Sequence, residues 1–496
     1  GKTINVKNST ISSIAIWERS GYSGVQTFKF EGANTVDTLT DSQYAKYVLA
    51  AADATLTAPE GLNVTTSVAG HIVDYADGKY YLRVPNYVAA IGETKYESLQ
   101  AAIDAAVDND VIVVIDNIEV TIDDLTGLQL VGTKYPSYYV VRGKTISIDL
   151  NGMMIKANVT ATDMLLGLFS TEQSGNLTLK DSSNGNGKVE IEATNDADVY
   201  SLITNYDSSS AITIDGGNYI LNKVGDSGQS LIYDSPGNMV VNGGNFYLGN
   251  LGQGVGDVNE NGIPWIFNVK GQNNGHVTVN GGTFNADVNH QYWAYEVNVP
   301  NTLALKYNGD EARTWTVVPA VAQGTDSWKG YNRPLGYASI ADAAYWAKAE
   351  TTVTVVADHA ITETAIVESN ITLDFAGKEV TCSVNPAIRI QGNVNVTVKN
   401  GNMNTEGYNF ILGASDDSSA GNLTIESGTF HGTTTVASVT KGNLNITGGE
   451  FSVEPYQGSY AFLINCIDAN YNNGDATVSI SGGTFHNWNP ENNAAE

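Results

Sequence analysis

The sequence predicts an all-β chain: two tandem right-handed parallel β-helices, each with an N-terminal capping α-helix, and a small N-terminal β-rich module. Three observations predict it. Short runs of alternating apolar residues end repeatedly in a glycine turn followed by an aromatic residue. A longer unit, an alanine-rich helix pattern followed by an apolar strand, occurs twice. The composition also suits turns: 51 of the 496 residues are glycine and asparagine is abundant, and both residue types tolerate positive φ.

In chain order, residues 1–84 carry strand-like runs without the glycine–aromatic motif and form the small module. Residues 85–319 and 320–496 are the two β-helices. Each is preceded by an extended aromatic segment, YADGKYYLRVP ending at Pro85 and YNGDEARTWTVVP ending at Pro319. Then come YESLQAAIDAAVDNDVIVVID from Tyr96 and YASIADAAYWAKAETTVTVVAD from Tyr337. Both read as an amphipathic helix of about three turns followed by a buried strand. Such a helix would cover the open end of a strand stack, which otherwise exposes an unpaired edge. ISIDLNG (146–152) and ITLDFAG (371–377) follow at equivalent places.

The coils come next: ITIDGGNY (212–219), MVVNGGNF (239–246) and VTVNGGTF (277–284), then VTVKNGNM (396–403), LTIESGTF (423–430), LNITGGEF (444–451) and VSISGGTF (478–485). A degenerate copy, LTLKDSSN, starts at Leu177. Within the two groups, successive copies start 27 and 38, then 27, 21 and 34 residues apart. The first and third positions are always apolar, so one face of each strand is buried. The eighth is aromatic or methionine, which predicts an inward stack. The glycines allow a sharp turn that a Cβ would obstruct. One such coil cannot bury its apolar face alone; stacking like coils at about 4.8 Å per strand does so. An immunoglobulin-like array would instead space its strands regularly, without one motif recurring in a column.

The run "aromatic, Ser-Leu, Ala-Ala-Ile, Ala-Ala, IVV-Asp" followed by GGTF-type coils resembles the tandem pectin-lyase-like β-helix repeats of secreted bacterial surface proteins; similar repeats occur in phage fibres. The resemblance covers residues 86–496. It implies a fold more than an activity, because that superfamily spans lyases, hydrolases, adhesins and tailspikes. Repeats of this kind usually continue beyond NWNPENNAAE, so truncation at the C-terminus is expected.

The charge balance bears on partners. Fifty-three acids against 25 bases leave a formal charge of −28, which argues against nucleic acid and anionic membranes as main partners. No stretch approaches the ~20 apolar residues of a membrane helix, and direct membrane insertion is not expected. The start, GKTINVKN, lacks the pattern of a signal peptide. Cys382 and Cys466 each sit in an apolar run and read as buried free thiols, with a single disulfide between them the alternative.

Lyases on this scaffold, as the resemblance implies, gather acids on neighbouring coils around Ca²⁺ beside an Arg or Lys base. Hydrolases need paired carboxylates. Here the column before the turn reads Lys180, Asp215, Asn242, Asn280 and then Lys399, Glu426, Thr447, Ser481: polarity is kept and charge is not. Arg142 and Arg389 are the only arginines in the coil regions. Asp149 and Asp374 each precede a glycine by three residues and read as turn residues. No catalytic residue is assigned, and the six histidines show no ligand spacing.

Two candidate sites remain. Asp257, Asn259 and Asn261 match the first half of a Ca²⁺ loop, with Asn268 where the closing Glu would stand, so any Ca²⁺ binding is expected to be weak. They lie in a 20-residue insertion (249–268), longer than most loops. Asp468, Asn470 and Asn472 are a fainter version. Trp265, Tyr292, Trp293 and Tyr295, with Tyr345 and Trp346 on the second helix, are placed to stack on sugar rings. No cofactor is otherwise expected. Together these features read as a non-catalytic extracellular surface stalk or adhesin contacting glycans or cell-surface ligands. The alternatives are a phage fibre, expected to be a homotrimer where the stalk is a monomer, and a lyase or hydrolase of acidic polysaccharide.

Overall fold

The computed structural model describes residues 3–11, 14–16, 26–31, 35–41, 47–51, 63–66, 70, 72–76, 79–194, 196–223, 230–234, 237–249, 265–269, 276–290, 296–328, 330–455, 462–491 and 494–495. The fold is all-β, with mostly parallel strand pairs and, among the described residues, three short helices. Contacts divide it into two compact units, residues 1–89 with 95–101, and residues 90–94 with 102–496.

In the first unit the strands Thr3–Lys7, Gln26–Glu31 and Tyr47–Ala51 pair in parallel, and Lys79–Arg83 and Ile72–Ala76 extend that sheet antiparallel. Thr10–Ile11, Ile14–Ile16 and Asn63–Thr66 each pair in parallel with Thr35–Asp41. The module is therefore built largely from parallel pairs although it lacks the coil motif.

The second unit repeats one pattern. From residue 351 each pass of the chain but the last supplies one described strand to each of three parallel rows. The first row runs Thr351–Val355, Ile371–Asp374, Val394–Lys399, Gly421–Ile425, Gly442–Ile446, Ala476–Ile480. The second runs from His359–Ile361 to Thr484–Phe485 and the third from Ala365–Val367 to Ile464–Cys466. Residues 111–284 follow the same plan. Val111–Val114, Thr145–Asp149, Asn176–Lys180 and the starts of Ala211–Lys223 and Asn238–Leu248 form one row. Ile118–Ile122, Met154–Val159 and Lys188–Ala193 lead to the end of Ala211–Lys223 in the next. Tyr135–Arg142, Gly167–Glu172, Ile203–Asn205, Ser230–Asp234 and Trp265–Val269 form the third. Two antiparallel hairpins, Leu303–Tyr307 with Trp315–Pro319 and Ala322–Trp328 with Tyr331–Tyr337, lie between the two groups.

The motif's eighth position forms the inward stack its composition predicts. Tyr219, Phe246 and Phe284 stand 5.2 and 4.9 Å apart with nearly parallel rings. Phe430, Phe451 and Phe485 repeat this at 5.5 and 5.1 Å. All are buried except Phe485, which ends its stack half-exposed. The turn needs its second glycine: Gly282 has φ +115, and a Cβ there would come within 3.2 Å of the Phe284 ring.

The two alanine-rich segments form shorter helices than the three turns expected. α1 spans Leu99–Ala105 and α2 spans Ile340–Trp346. Ser98 and Ser339 hydroxyls accept from the third residue on, Ala101 N and Asp342 N, and so start them. α1 stops because the Asp110 carboxylate takes the Val107 N–H. The Lys144 ammonium then donates to the Ile103, Asp104 and Ala106 carbonyls, a favourable charge for a helix C-terminus. α3, Asp468–Asn473, ends at Gly474 in the left-handed region. Cys382 and Cys466 are free thiols, the first buried and the second half-exposed.

Replacing Phe284 with Ala removes a ring that is 0 % exposed and should cost about 3–5 kcal/mol through cavity formation. Phe485→Ala, at the exposed end of its stack, should cost less than half as much. Chemical denaturation followed by fluorescence gives both values, and equal losses would mean that the stack's depth does not set the energy.

Candidate functional site

The carboxylates that a lyase or hydrolase would recruit are committed to turns. Asp149 Oδ1 accepts from the Asn151 and Ser182 backbone N–H groups at 2.9 and 3.0 Å. Asp374, its counterpart, accepts from Ala376 N and the Asn400 amide, both at 2.9 Å. Burial alone would raise its carboxyl, but Asn400, Ala376 and Lys399 together hold it below the usual range. Asp181 is tied more heavily, accepting from the backbones of Gly152, Ser183, Gly185 and Gly187 and from the Ser183 hydroxyl. Against the opposing effect of burial, the Ser183, Gly187 and Gly152 bonds lower it. Asp215 ends an amide ladder: Asn242 donates to it at 2.8 Å and Asn280 to Asn242 at 3.0 Å. In the first group, Asp215, Asn242 and Asn280 of the pre-turn column thus form an exposed hydrogen-bonded ladder.

Both coil-region arginines have structural partners too. Arg142 pairs with Glu172 at 2.6 Å and donates to Gln129 Oε1 and the Leu130 carbonyl. Arg389 donates to the Gly413 carbonyl.

What the second unit does bring together is aromatic. In the six-stranded sheet that this third row of the first group forms with Gln129–Val131, Tyr139, Phe169, Ile203, Ile232 and Phe267 share one buried register row. One residue further on, Val140, Ser170, Thr204, Tyr233 and Asn268 form the next row, which alternation turns to the other face. On that side Tyr200 meets Tyr233 edge-to-face at 4.8 Å, and Tyr135 lies 6.1 Å from Tyr206. The Asn268 amide donates to Tyr200 Oη at 3.4 Å. Lys134 Nζ sits 4.9 Å above the Tyr135 ring, and Glu172 Oε2 holds the adjoining turn by accepting from Gly132 N. Burial, reinforced by Tyr233, pushes the Tyr200 hydroxyl up to about 12; burial, with Tyr135 and Tyr233, raises Tyr206 as well. These phenols stay neutral at physiological pH. They can stack and exchange hydrogen bonds, which suits hydroxyl-rich ligands better than proton transfer.

Trp265 opens the last strand of this sheet, paired with Ser230, half-buried and on the same face of its strand as Phe267. Tyr345 is 74 % exposed, while Trp346 stacks on His290 at 3.8 Å. Tyr292, Trp293 and Tyr295, and the Ca²⁺-loop residues Asp257, Asn259 and Asn261, lie outside the described residues. The fainter ion loop is corrected: Asp468, Asn470 and Asn472 lie on α3, where alternate residues diverge around the helix, and the Asn470 amide donates to the Thr440 carbonyl. Among the described residues, no group of three or more His, Cys, Asp and Glu is placed to hold a metal ion. No described helix is long and apolar enough to cross a membrane. The tyrosine cluster has no signature in the sequence because its members belong to strands and loops without the glycine–aromatic motif.

No family model matches the chain, and no curated protein matches it.

Asp181→Ala would strip a partly buried turn of its acceptor. Losing several partners at once should destabilise the second unit by about 1–3 kcal/mol at pH 7. The Asp181 contribution follows a depressed carboxyl: it is present above the unfolded value near ~3.9 and disappears as pH falls through the lower folded value. Denaturation midpoints at pH 7 and pH 2 should therefore differ less in the variant than in the wild type. An equal pH response would show that this turn does not depend on the ionised carboxylate.

Proposed function

We propose that residues 90–496 close into right-handed parallel β-helices of the pectin-lyase-like kind, end-covered by α1 and α2, and that the chain is a non-catalytic extracellular surface protein, a stiff stalk or adhesin that contacts glycans. The observation that carries the reading is the three-row pattern, in which each pass but the last of each group adds one in-register strand to each row among the described residues. Such stacking leaves few backbone groups unpaired between the ends, which favours stiffness and resistance to proteolysis. Right-handed closure is the expected hand for parallel strands joined by crossovers. The acidic surface keeps a long repeat soluble.

In this reading, the half-buried Tyr200 and Tyr206 form the glycan-contacting face, backed by the buried Tyr233 and Asn268. Neutral phenols and an amide favour uncharged or weakly charged sugars, since Lys134 and Arg142 are the nearby cations and Arg142 is already paired. The use of Asp149, Asp181 and Asp374 as turn acceptors weighs against the lyase and hydrolase readings.

Glycan-array binding by the full chain tests this. Tyr206→Ala and Tyr200→Ala should each weaken the best ligand at least tenfold while leaving the thermal midpoint of the rest of the chain in place. Turnover of pectin, alginate or a glycosaminoglycan, lost on replacing Asp149 or Asp215, would replace the adhesin reading with an enzyme.

A further inference from the structure

One cluster of buried charges in the second unit lies between its two groups of parallel strands. Just past Phe284 the chain makes a tight turn in which Asp287 accepts from Asn289 N through its carboxylate and from His290 N through its carbonyl. The turn carries His290 inward, to 6 % exposure. Its Nδ1 lies 2.7 Å from Asp287 Oδ2, and its Nε2 lies 3.5 Å from Asp326 Oδ2 on the hairpin strand Ala322–Trp328. Asp326, 1 % exposed, also faces Arg333 Nε at 3.5 Å. Arg333 in turn donates back to the Asn289 and Val297 carbonyls. The imidazole lies flat on Trp346 of α2, 3.8 Å away and 11° from parallel.

Residues 287–297 follow the last coil of the first group; Asp326, Arg333 and Trp346 precede the first strand of the second. Two acids and two bases balance here with little water to screen them. Removing one charge from such a set leaves another buried and uncompensated, which is strongly destabilising.

We propose that this cluster is a pH-sensitive latch: the His290 imidazolium clamps the end of the first strand group to the hairpin and helix that begin the second, and loss of its proton releases them. The other groups facing it do not substitute for that charge. From the hairpin, Tyr337 is raised by burial and by Asp326. Burial pulls Arg333 down from the ordinary guanidinium range, against Asp326 and Asp287. From α2, burial raises Asp342, with the Ser339 hydrogen bond opposing and Glu363 and Asp287 adding. Tyr307, beside the same small cavity of about 50 Å³, hydrogen-bonds to Asp310.

The direction follows from the signs. Burial lowers the His290 affinity for its proton, but Asp287 and Asp326 outweigh it and bring the group up to about 9. A folded value above the unfolded one means that the latch is fully engaged below ~6.5 and is lost as pH rises through about 9. The latch does not depend on the chain being a stalk.

Hydrogen exchange read by mass spectrometry on the full chain tests it, with rates corrected for intrinsic pH dependence. In the wild type, peptides covering Ala322–Trp328 and α2 should open more than tenfold more readily at pH 10 than at pH 7, while those covering Gly421–Ile425 and Gly442–Ile446 change little. His290→Gln should show the open rates already at pH 7 and no further rise. His486→Gln, which removes an exposed pair with Glu450, should behave as wild type. If His290→Gln does not fold, the wild-type titration alone carries the test. Protection at the hairpin and α2 that stays flat from pH 7 to pH 10, or a His290→Gln profile matching wild type, overturns the latch.

Discussion

The structure of the second unit depends on one constraint: each new strand must pair in parallel and in register with the strand one pass earlier. That single condition aligns like side chains on neighbouring strands about 4.8 Å apart. Aromatic rings at equal positions then have no choice but to lie ring on ring, as Tyr219, Phe246 and Phe284 do. The close approach of successive backbones follows from the same geometry. A Cβ on Gly428 would fall 2.2 Å from Gly401 N of the preceding pass, so the glycine column and the aromatic column are two consequences of one register. Polar columns obey it too: Asn422, Asn443 and Thr477 hydrogen-bond in sequence along the outer face.

The same constraint explains which parts of the fold are legible in the sequence. A register-locked stack writes the same residue type at the same phase of every pass, so the recurrence of GGNF and GGTF is enough to locate the strands. Residues 1–84 pair largely in parallel as well, yet TFKFE and YVLAA carry no shared turn signature, and their pairing leaves no mark beyond β-type composition. The six-stranded sheet is hidden for another reason. Gly167–Glu172 and Ser230–Asp234 are buried at every position, so the alternation that marks a one-sided strand is absent. Helix length is overstated by the sequence because AAIDAAV has helical propensity throughout, whereas its end is set by Asp110 and Lys144, distant or downstream partners that propensity does not contain.

Sites follow the same division. The Asp149 and Asp374 turns are readable, since Asp-x-Asn-Gly and Asp-x-Ala-Gly are local arrangements that fold on themselves. The tyrosine face and the His290 cluster are not. Tyr135, Tyr200, Tyr206 and Tyr233 meet only because three passes bring them to one face. His290, Asp326, Arg333 and Trp346 are separated by 36, 7 and 13 residues and share no periodicity.

Register-matched parallel rows leave little freedom to build chemistry on their strands, because any side chain that leaves the column disturbs its neighbours on the adjacent strands. Asp181 illustrates the cost of variation: where the degenerate LTLKDSSN copy lacks the glycine pair, its carboxylate must accept from four backbone N–H groups to hold the turn. Irregular features are therefore confined to places where the column is interrupted, such as the loops beside the six-stranded sheet and the hairpins between the two strand groups. Those are the places where the tyrosine face and the buried charges occur. The parallel rows fix position and spacing, and the interruptions carry the residues whose surroundings depart from the column.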